Sequence, residues 1–133
     1  KLLLIEMPFS DWSGTAVQEI FTIKRDRNVR IVLAHIDRYF SPHNRQYIEN
    51  MASDGILFQA NASSLLLDRK HRKQVLQMIE DRMIWFIGSD CHNMEERAPK
   101  LADAYKVIEK KLGADGLEWL RFCADHYFGG GDN

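Results

Sequence analysis

The chain has 133 residues, a formal net charge of -1 and 45% hydrophobic residues, a composition that predicts one globular domain. Lys and Arg together number 18 and Asp and Glu 19, so bulk charge gives no reason to expect a nucleic-acid partner. No apolar run approaches the roughly 20 residues of a membrane-spanning helix, so we expect no membrane insertion. Two cysteines make no disulfide framework, which favours a cytoplasmic location.

Short apolar runs alternate with helical patterns along the chain. The runs predict strands at residues 2–5, 30–34, 56–60 and 83–88. The first run is continuously apolar, which is typical of a strand buried on both faces. Helices are predicted at residues 14–25, 42–53, 63–67, 69–81, 98–112 and 115–128. This alternation predicts an α/β fold of about four parallel βα units, roughly half of an eight-stranded barrel.

Polar side chains stand at the carboxyl ends of all four predicted strands. They are Glu6, His35, Gln59, Asn61, Asp90 and His92. In parallel α/β folds this edge is where ligands bind. Asp90 and His92 are two positions apart, so in extended backbone their side chains point the same way. The sequence therefore predicts a site at the carboxyl edge of the sheet.

Carboxylates and imidazoles from neighbouring strands would form a mixed nitrogen and oxygen ligand set. Such a set suits Zn, Mn or Fe better than Ca, and the absence of thiolates argues against a structural zinc site. Each residue also has a purely structural interpretation. Glu6 could bind a helix N-terminus, His35 could be a core histidine, and Asp90 could cap the turn that follows it.

Two arginines lie in the loops of the same edge. Arg38 and Arg97 have the planar, bidentate geometry that matches phosphate or carboxylate oxygens. Alternatively, Arg38 pairs with Asp37, and Arg97 with a neighbouring glutamate, at the surface. With the metal ligands, the arginines favour metal-assisted hydrolysis of a phosphate ester or related anion.

Four segments in chain order resemble the polymerase and histidinol phosphatase (PHP) superfamily, and more closely its capsular-polysaccharide-type bacterial tyrosine phosphatases. Residues 3–9 read LLIEMPF, residues 33–39 LAHIDRY, residues 58–65 FQANASSL, and residues 88–93 GSDCHN with Arg97 downstream. Collinear matches over this length are more specific than any one motif.

The resemblance implies a divalent metal cluster, with Mn or Fe favoured over Zn. Its ligands in this chain would be Glu6, His35, Asp90 and His92. The family fold is a distorted TIM-like (β/α)7 barrel that opens with a His-x-His pair on its first strand. That pair is absent here, so we expect residues 1–133 to be a partial domain, the C-terminal part of such a barrel.

The resemblance also implies the reaction, a hydrolysis that removes phosphate from tyrosine. Arg38 and Arg97 would be the catalytic phosphate-binding residues, and Gln59 and Asn61 further substrate contacts. The expected partner is the phosphotyrosine tail of a tyrosine kinase in capsule and exopolysaccharide biosynthesis. The chain departs from the family motif at Ile36 and Asp37, where Pro and Glu are usual.

Two alternatives to a tyrosine phosphatase remain open. The chain could be a catalytically incompetent half-barrel, because each metal in a cluster is shared among several strands. It could also derive from a small-molecule phosphatase of the same superfamily, such as a histidinol-phosphate hydrolase. An exposed barrel edge beside residues 2–5 would favour pairing with another chain, so we also expect a homodimer.

Overall fold

In the computed structural model of the chain, which describes residues 1–66, 69–89 and 94–129, four parallel strands form one sheet. The strands are β1 (Leu2–Ile5), β2 (Arg30–Leu33), β3 (Leu57–Asn61) and β4 (Ile84–Gly88), in the spatial order β1-β2-β3-β4. Because every neighbouring pair is parallel, all four carboxyl ends meet at one edge. The predicted α/β class and its four parallel units are confirmed.

Helices connect and follow the strands. The described residues form α1 (Gly14–Arg27), α2 (Pro42–Ser53), α3 (Ala62–Leu66), α4 (Arg69–Glu80), α5 (Met94–Leu112) and α6 (Ala114–Ala124). A 3₁₀ helix over Ile36–Tyr39 follows β2, and a π-helical turn over Asp125–Gly129 follows α6. None of the helices in the described part of the chain is long and apolar enough to cross a membrane.

The observed bounds differ from the predicted ones mainly in the last third of the chain. α5 begins at Met94, four residues before the predicted start, so Pro99 lies inside the helix rather than close to its first residue. The predicted helix 115–128 is divided into α6 and the π-helical turn.

Serine caps fix where two of the helices begin. The Ser13 side chain accepts a hydrogen bond from the amide of Ala16 at 3.0 Å, and Ser41 accepts one from Asn44 at 3.1 Å. Pro42 then occupies the first turn of α2, where its missing N–H costs nothing. α2 therefore begins directly after the β2 carboxyl-end loop, which is where the candidate site lies.

The core lies between the sheet and the helices packed on it. Its largest fully buried side chains include Trp12, Phe58, Ile31, Leu33, Met51 and Ile108. β2 and β3 supply most of the buried strand positions, since each has a strand on both sides. These two central strands are the rigid base from which the loops of the candidate site extend.

The expectation that the first strand is buried on both faces is wrong for the described structure. β1 forms where predicted, but Leu3 is 40% and Leu4 64% exposed. The reason is position, because β1 is an outer strand that pairs only with β2 among the described strands. A continuous apolar run therefore predicted the strand correctly and its burial incorrectly.

Candidate functional site

Glu6 and His35 meet at the carboxyl ends of β1 and β2. The two strands pair in register up to Ile5 and Leu33, which brings the residues that follow them side by side. The Nε2 atom of His35 lies 3.3 Å from the Oε1 atom of Glu6. The Glu6 side chain is 71% exposed, whereas that of His35 is 12% exposed. The imidazole is therefore largely buried, and its contact with the carboxylate lies at the protein surface.

The backbone of His35 is held in a conformation that is uncommon for this residue type. Its φ is 37°, in the left-handed region, and its amide N–H donates a 2.6 Å hydrogen bond to Oε1 of Gln59. Strained conformations persist only where the surrounding structure enforces them, and they are concentrated at functional sites. Gln59 on β3 thus helps to fix the direction in which the imidazole projects.

One imidazole nitrogen of His35 is buried without a hydrogen-bond partner in the part of the chain that the structure describes. Its Nδ1 atom is buried and has no partner among the described residues. The ring packs beside Phe9 and Tyr39, with centroids 5.9 Å and 5.5 Å away. Buried polar atoms are nearly always paired, so a ring whose Nδ1 has no partner among the described residues and whose Nε2 faces the Glu6 carboxylate is unlike a satisfied core histidine.

Tyr39 connects the loop after β1 to the 3₁₀ helix after β2. Its hydroxyl donates to the Met7 carbonyl at 2.7 Å and accepts from the Met7 amide at 3.0 Å. Burial raises the pKa of Tyr39 above its ordinary value of 10.0, which keeps the hydroxyl protonated and able to donate. Met7 directly follows Glu6, so this double hydrogen bond positions the candidate carboxylate ligand.

Asp37 makes the corresponding connection to β3. Its carboxylate is buried, with 7% of the residue exposed, and accepts a 2.9 Å hydrogen bond from the amide of Asn61. Burial raises the pKa of Asp37, while the hydrogen bond from Asn61 lowers it by a smaller amount. This hydrogen bond fixes the 3₁₀ helix after β2 to the end of β3.

Gln59 and Asn61 lie together at the end of β3. Nε2 of Gln59 donates to the Ala60 carbonyl at 2.9 Å and to Oδ1 of Asn61 at 3.4 Å. Asn61 is buried, with 4% of the residue exposed. On β4, Gly88 faces Gln59 so closely that a Cβ atom there would overlap the amide. Both residues support the loop that carries His35, and their predicted contact with substrate stays a prediction.

Arg38 lies on the outer side of the same loop. It is exposed, and its guanidinium carbon is 5.7 Å from the centre of the Phe9 ring. The structure does not favour the alternative in which Arg38 pairs with Asp37 at the surface. Asp37 is buried, and its carboxylate accepts a hydrogen bond from the Asn61 amide. The exposed guanidinium thus lies over the ring that stacks on His35, on the same side of the sheet edge as the candidate ligands.

The remaining predicted site residues are not described in full. Asp90 and His92 lie outside the described residues, and Arg97 is described only by its place in the α5 backbone. Within residues 1–66, 69–89 and 94–129, no group of three His, Cys, Asp or Glu side chains could hold a metal. The described part therefore brings together two of the four predicted ligands, and the complete ligand set stays a prediction.

Sequence reasoning missed Phe9, Tyr39 and the supporting role of Asp37. All three belong to the segments that carry the family resemblance, so the motif contained them without stating their roles. Tyr39 had a signal, since it lies four residues after His35 and at the end of a short helical turn. No sequence signal indicated that Phe9 lies at the site, because its position depends on how the loop after β1 folds over β2.

Comparison with known proteins agrees with this geometry. The family model described as "Capsular polysaccharide synthesis, CpsB/CapC" matches residues 3–124. The tyrosine-protein phosphatase CpsB of Streptococcus agalactiae serotype III is 34% identical over 90% of this chain and 52% of its own length. The tyrosine-protein phosphatase YwqE of Bacillus subtilis is 27% identical over 86% of this chain and 46% of its own.

A solved structure shares the fold. It comes from work on YwqE from Bacillus subtilis and CpsB from Streptococcus pneumoniae, described there as metal-dependent tyrosine phosphatases. The TM-score is 0.70 at 24% identity, over 90% of this chain and 53% of the other. The chain spans about half the length of the curated relatives it matches. Since the family model matches nearly the whole chain, the chain belongs to the capsular polysaccharide synthesis CpsB/CapC family.

Proposed function

We propose that the protein is a metal-dependent phosphoester hydrolase, a protein-tyrosine phosphatase of capsule and exopolysaccharide biosynthesis. The observation that carries the proposal is the juxtaposition of Glu6, the largely buried imidazole of His35 and the exposed guanidinium of Arg38 at one edge of the sheet. The names of the relatives, both tyrosine-protein phosphatases, give the substrate class. We propose residues 1–133 as part of this phosphatase domain.

The donor groups present fit a divalent metal. Glu6 and His35 would hold it through a carboxylate oxygen and an imidazole nitrogen, since Oε1 of Glu6 and Nε2 of His35 lie 3.3 Å apart. Asp90 and His92 would add a further carboxylate and imidazole. When bound, such ions activate water at neutral pH and neutralise charge on phosphoryl oxygens. We propose Mn or Fe over Zn, as the resemblance to the capsular-type tyrosine phosphatases implies.

The protein's own groups would bind and orient the phosphate. Arg38 and Arg97 would each hold phosphoryl oxygens through parallel N–H donors, and these donors gain strength as negative charge develops. The hydrogen bond from the His35 amide to Gln59 and the Tyr39 contacts with Met7 keep the imidazole and Glu6 in place. Positioning of this kind supplies much of the rate enhancement in phosphoryl transfer.

The proposed substrate is the phosphotyrosine tail of a polysaccharide-synthesis tyrosine kinase in the bacterial cytoplasm. An exposed guanidinium and carboxylate suit a flexible tail better than a deeply buried small molecule, since Glu6 is 71% exposed. We further propose that the chain forms a homodimer through the open side of β1. Nucleic acid and membrane lipid are not among the proposed partners.

The test compares the full-length protein with the 133-residue chain on a chromogenic aryl phosphate in the presence of Mn. We expect the full-length protein to hydrolyse it and the short chain to be inactive, because the metal cluster needs ligands from more strands. Hydrolysis by both at equal rates would overturn the partial-domain interpretation. Inactivity of full-length protein that binds Mn stoichiometrically would overturn the phosphatase assignment.

Elemental analysis after dialysis provides an independent check on the short chain. The half-barrel alternative predicts that it loses the metal, because Glu6 and His35 are the only two predicted ligands that the described structure brings together. Stoichiometric retention would count against that alternative.

Faster hydrolysis of histidinol phosphate than of a phosphotyrosine peptide by the full-length protein would favour the small-molecule phosphatase.

A further inference from the structure

Phe9 is an exposed aromatic residue in the loop that follows Glu6. It is 70% exposed, the highest value among the exposed large hydrophobic residues of the described chain. An exposed aromatic ring that borders a polar site offers apolar contact area for the apolar part of a ligand. Its neighbours decide whether the ring of Phe9 can act in this way.

The Phe9 ring packs against two aromatic residues of the candidate site, His35 and Tyr39. Its centre lies 5.9 Å from that of His35, with 15° between the planes, and 6.0 Å from that of Tyr39, with 29° between the planes. These contacts fix the orientation of the ring while most of its surface stays open. A ring that is held by its neighbours and is still largely exposed offers contact area to a planar ligand.

The same ring lies under the candidate phosphate-binding group. The guanidinium carbon of Arg38 is 5.7 Å from the ring centre, within the range of a cation–π contact. An aryl phosphate carries its phosphorus one oxygen atom away from an aromatic ring. A ligand whose phosphate binds Arg38 would consequently have its aryl ring next to Phe9.

We propose that Phe9 is a specificity-determining residue that contacts the aryl group of the substrate and favours aryl phosphates over alkyl phosphates. This inference rests on the proposed phosphatase function and adds to it a residue that selects the substrate class. Phosphoserine offers the same phosphate to Arg38 but has no ring to place on Phe9. Discrimination would come from the aromatic contact alone.

The experiment measures kcat/KM of the full-length Mn-loaded protein for a phosphotyrosine peptide and for the same peptide with phosphoserine. Phe9→Leu should lower the value for phosphotyrosine about tenfold and leave the value for phosphoserine within about twofold, because one aromatic pair is lost. Phe9→Tyr keeps the ring and should retain wild-type discrimination. Phe122→Leu is the matched control, since Phe122 is 55% exposed on α6 and stacks on Trp119 rather than on the site.

A binding measurement does not depend on turnover or on a variant. Phenylphosphonate should bind the wild-type protein about tenfold more tightly than methylphosphonate, as measured by calorimetry. Equal binding of the two, or equal loss of both peptide activities in Phe9→Leu, would overturn the role of Phe9 while leaving the phosphatase proposal intact. A wild-type protein that hydrolyses neither peptide would overturn the proposed function itself.

Discussion

β1 and β4 are the two outer strands of the same parallel sheet, and they differ in what covers them. On the β4 side, the Trp85 ring packs against Trp119 at 5.0 Å and against Tyr127 at 5.2 Å. The indole N–H of Trp119 also donates to the Ile84 carbonyl at 2.8 Å. On the β1 side, Leu3 and Leu4 are 40% and 64% exposed.

The difference separates two uses of apolar surface. At β4, aromatic residues from α6 and the π-helical turn cover part of the strand, which has Ile84 buried and its other residues half-buried. At β1, the apolar residues stay open, and the loop that follows the strand brings Glu6 and Phe9 to the candidate site. Stability should therefore depend strongly on the β4 side, and binding on the β1 side.

The largest expected contrast concerns thiol reactivity on the two sides. Cys123 on α6 is fully buried, and burial raises its pKa from an ordinary 9.0 to about 12. The reactive form is the thiolate, so a raised pKa leaves the thiol neutral and slow from about pH 7 to 9, and reactivity rises only as the pH approaches the raised value. In a Cys91→Ser background, iodoacetamide should modify Cys123 at least 100-fold more slowly than the cysteine of a Leu4→Cys variant.

Mass spectrometry of the modified protein at pH 8 measures both rates. The same reagent in urea gives the control, since unfolding should equalise the two cysteines. Similar rates in the folded protein would show that the β4 side is open to solvent and would break the comparison.

The next effect is on stability. Trp119→Ala should lower the free energy of unfolding by about 3 kcal/mol, because it removes the packing on Trp85 and leaves the Ile84 carbonyl without its donor. Trp119→Phe retains most of the packing and should cost about 1 kcal/mol. Leu4→Ala, the matched truncation on the open side, should change the value by less than about 0.5 kcal/mol. Urea denaturation measures all three, and equal losses at the two edges would contradict the comparison.

The sequence predicted the strands well because each is a short apolar run bounded by helical patterns. It could not predict the exposure of Leu3 and Leu4, since burial depends on which strands and helices lie beside β1 and not on the run itself. It also predicts too late a start for α5, because proline is typical of the first turn of a helix and Pro99 lies inside this one.

Part of the site was equally predictable. Glu6 and His35 follow adjacent parallel strands, so the strand order alone brings them together, and the 3.3 Å separation agrees with that expectation. The left-handed backbone of His35 and the burial of Asp37 could not be predicted, because both depend on hydrogen bonds with residues of β3. Contacts between non-adjacent segments of the chain carry no local sequence signal.

A smaller effect is expected where β4 supports the site. A Cβ atom at Gly88 would overlap the amide of Gln59, which accepts the hydrogen bond from the His35 backbone. Gly88→Ala should therefore displace Gln59, loosen His35 and weaken Mn binding by the full-length protein about tenfold, because supporting residues orient the ligands. The cost in stability should stay within about 1 kcal/mol, since the Gln59 side chain can rotate away.

Isothermal titration with Mn and urea denaturation separate the two effects. Gly113→Ala, between α5 and α6, is the control: its φ of 74° makes alanine costly to stability, but no described atom lies near its missing Cβ, so Mn affinity should not change. If Gly88→Ala leaves Mn affinity unchanged, the support of His35 from β3 and β4 is not functional.

The smallest effect should appear at the open side of β1 itself. A two-fold axis perpendicular to the sheet pairs two copies of β1 antiparallel, and it places residues of the same parity opposite each other. With the most exposed residue at the centre, Leu4 lies opposite Leu4 of the second copy. Leu4→Lys then sets two like charges face to face and should weaken a dimer about fivefold. Sedimentation equilibrium measures the dissociation constant, with Phe122→Lys on α6 as the control that should leave it unchanged. If wild-type protein stays monomeric at millimolar concentration, or Leu4→Lys associates as strongly as wild type, the proposed homodimer through β1 is wrong.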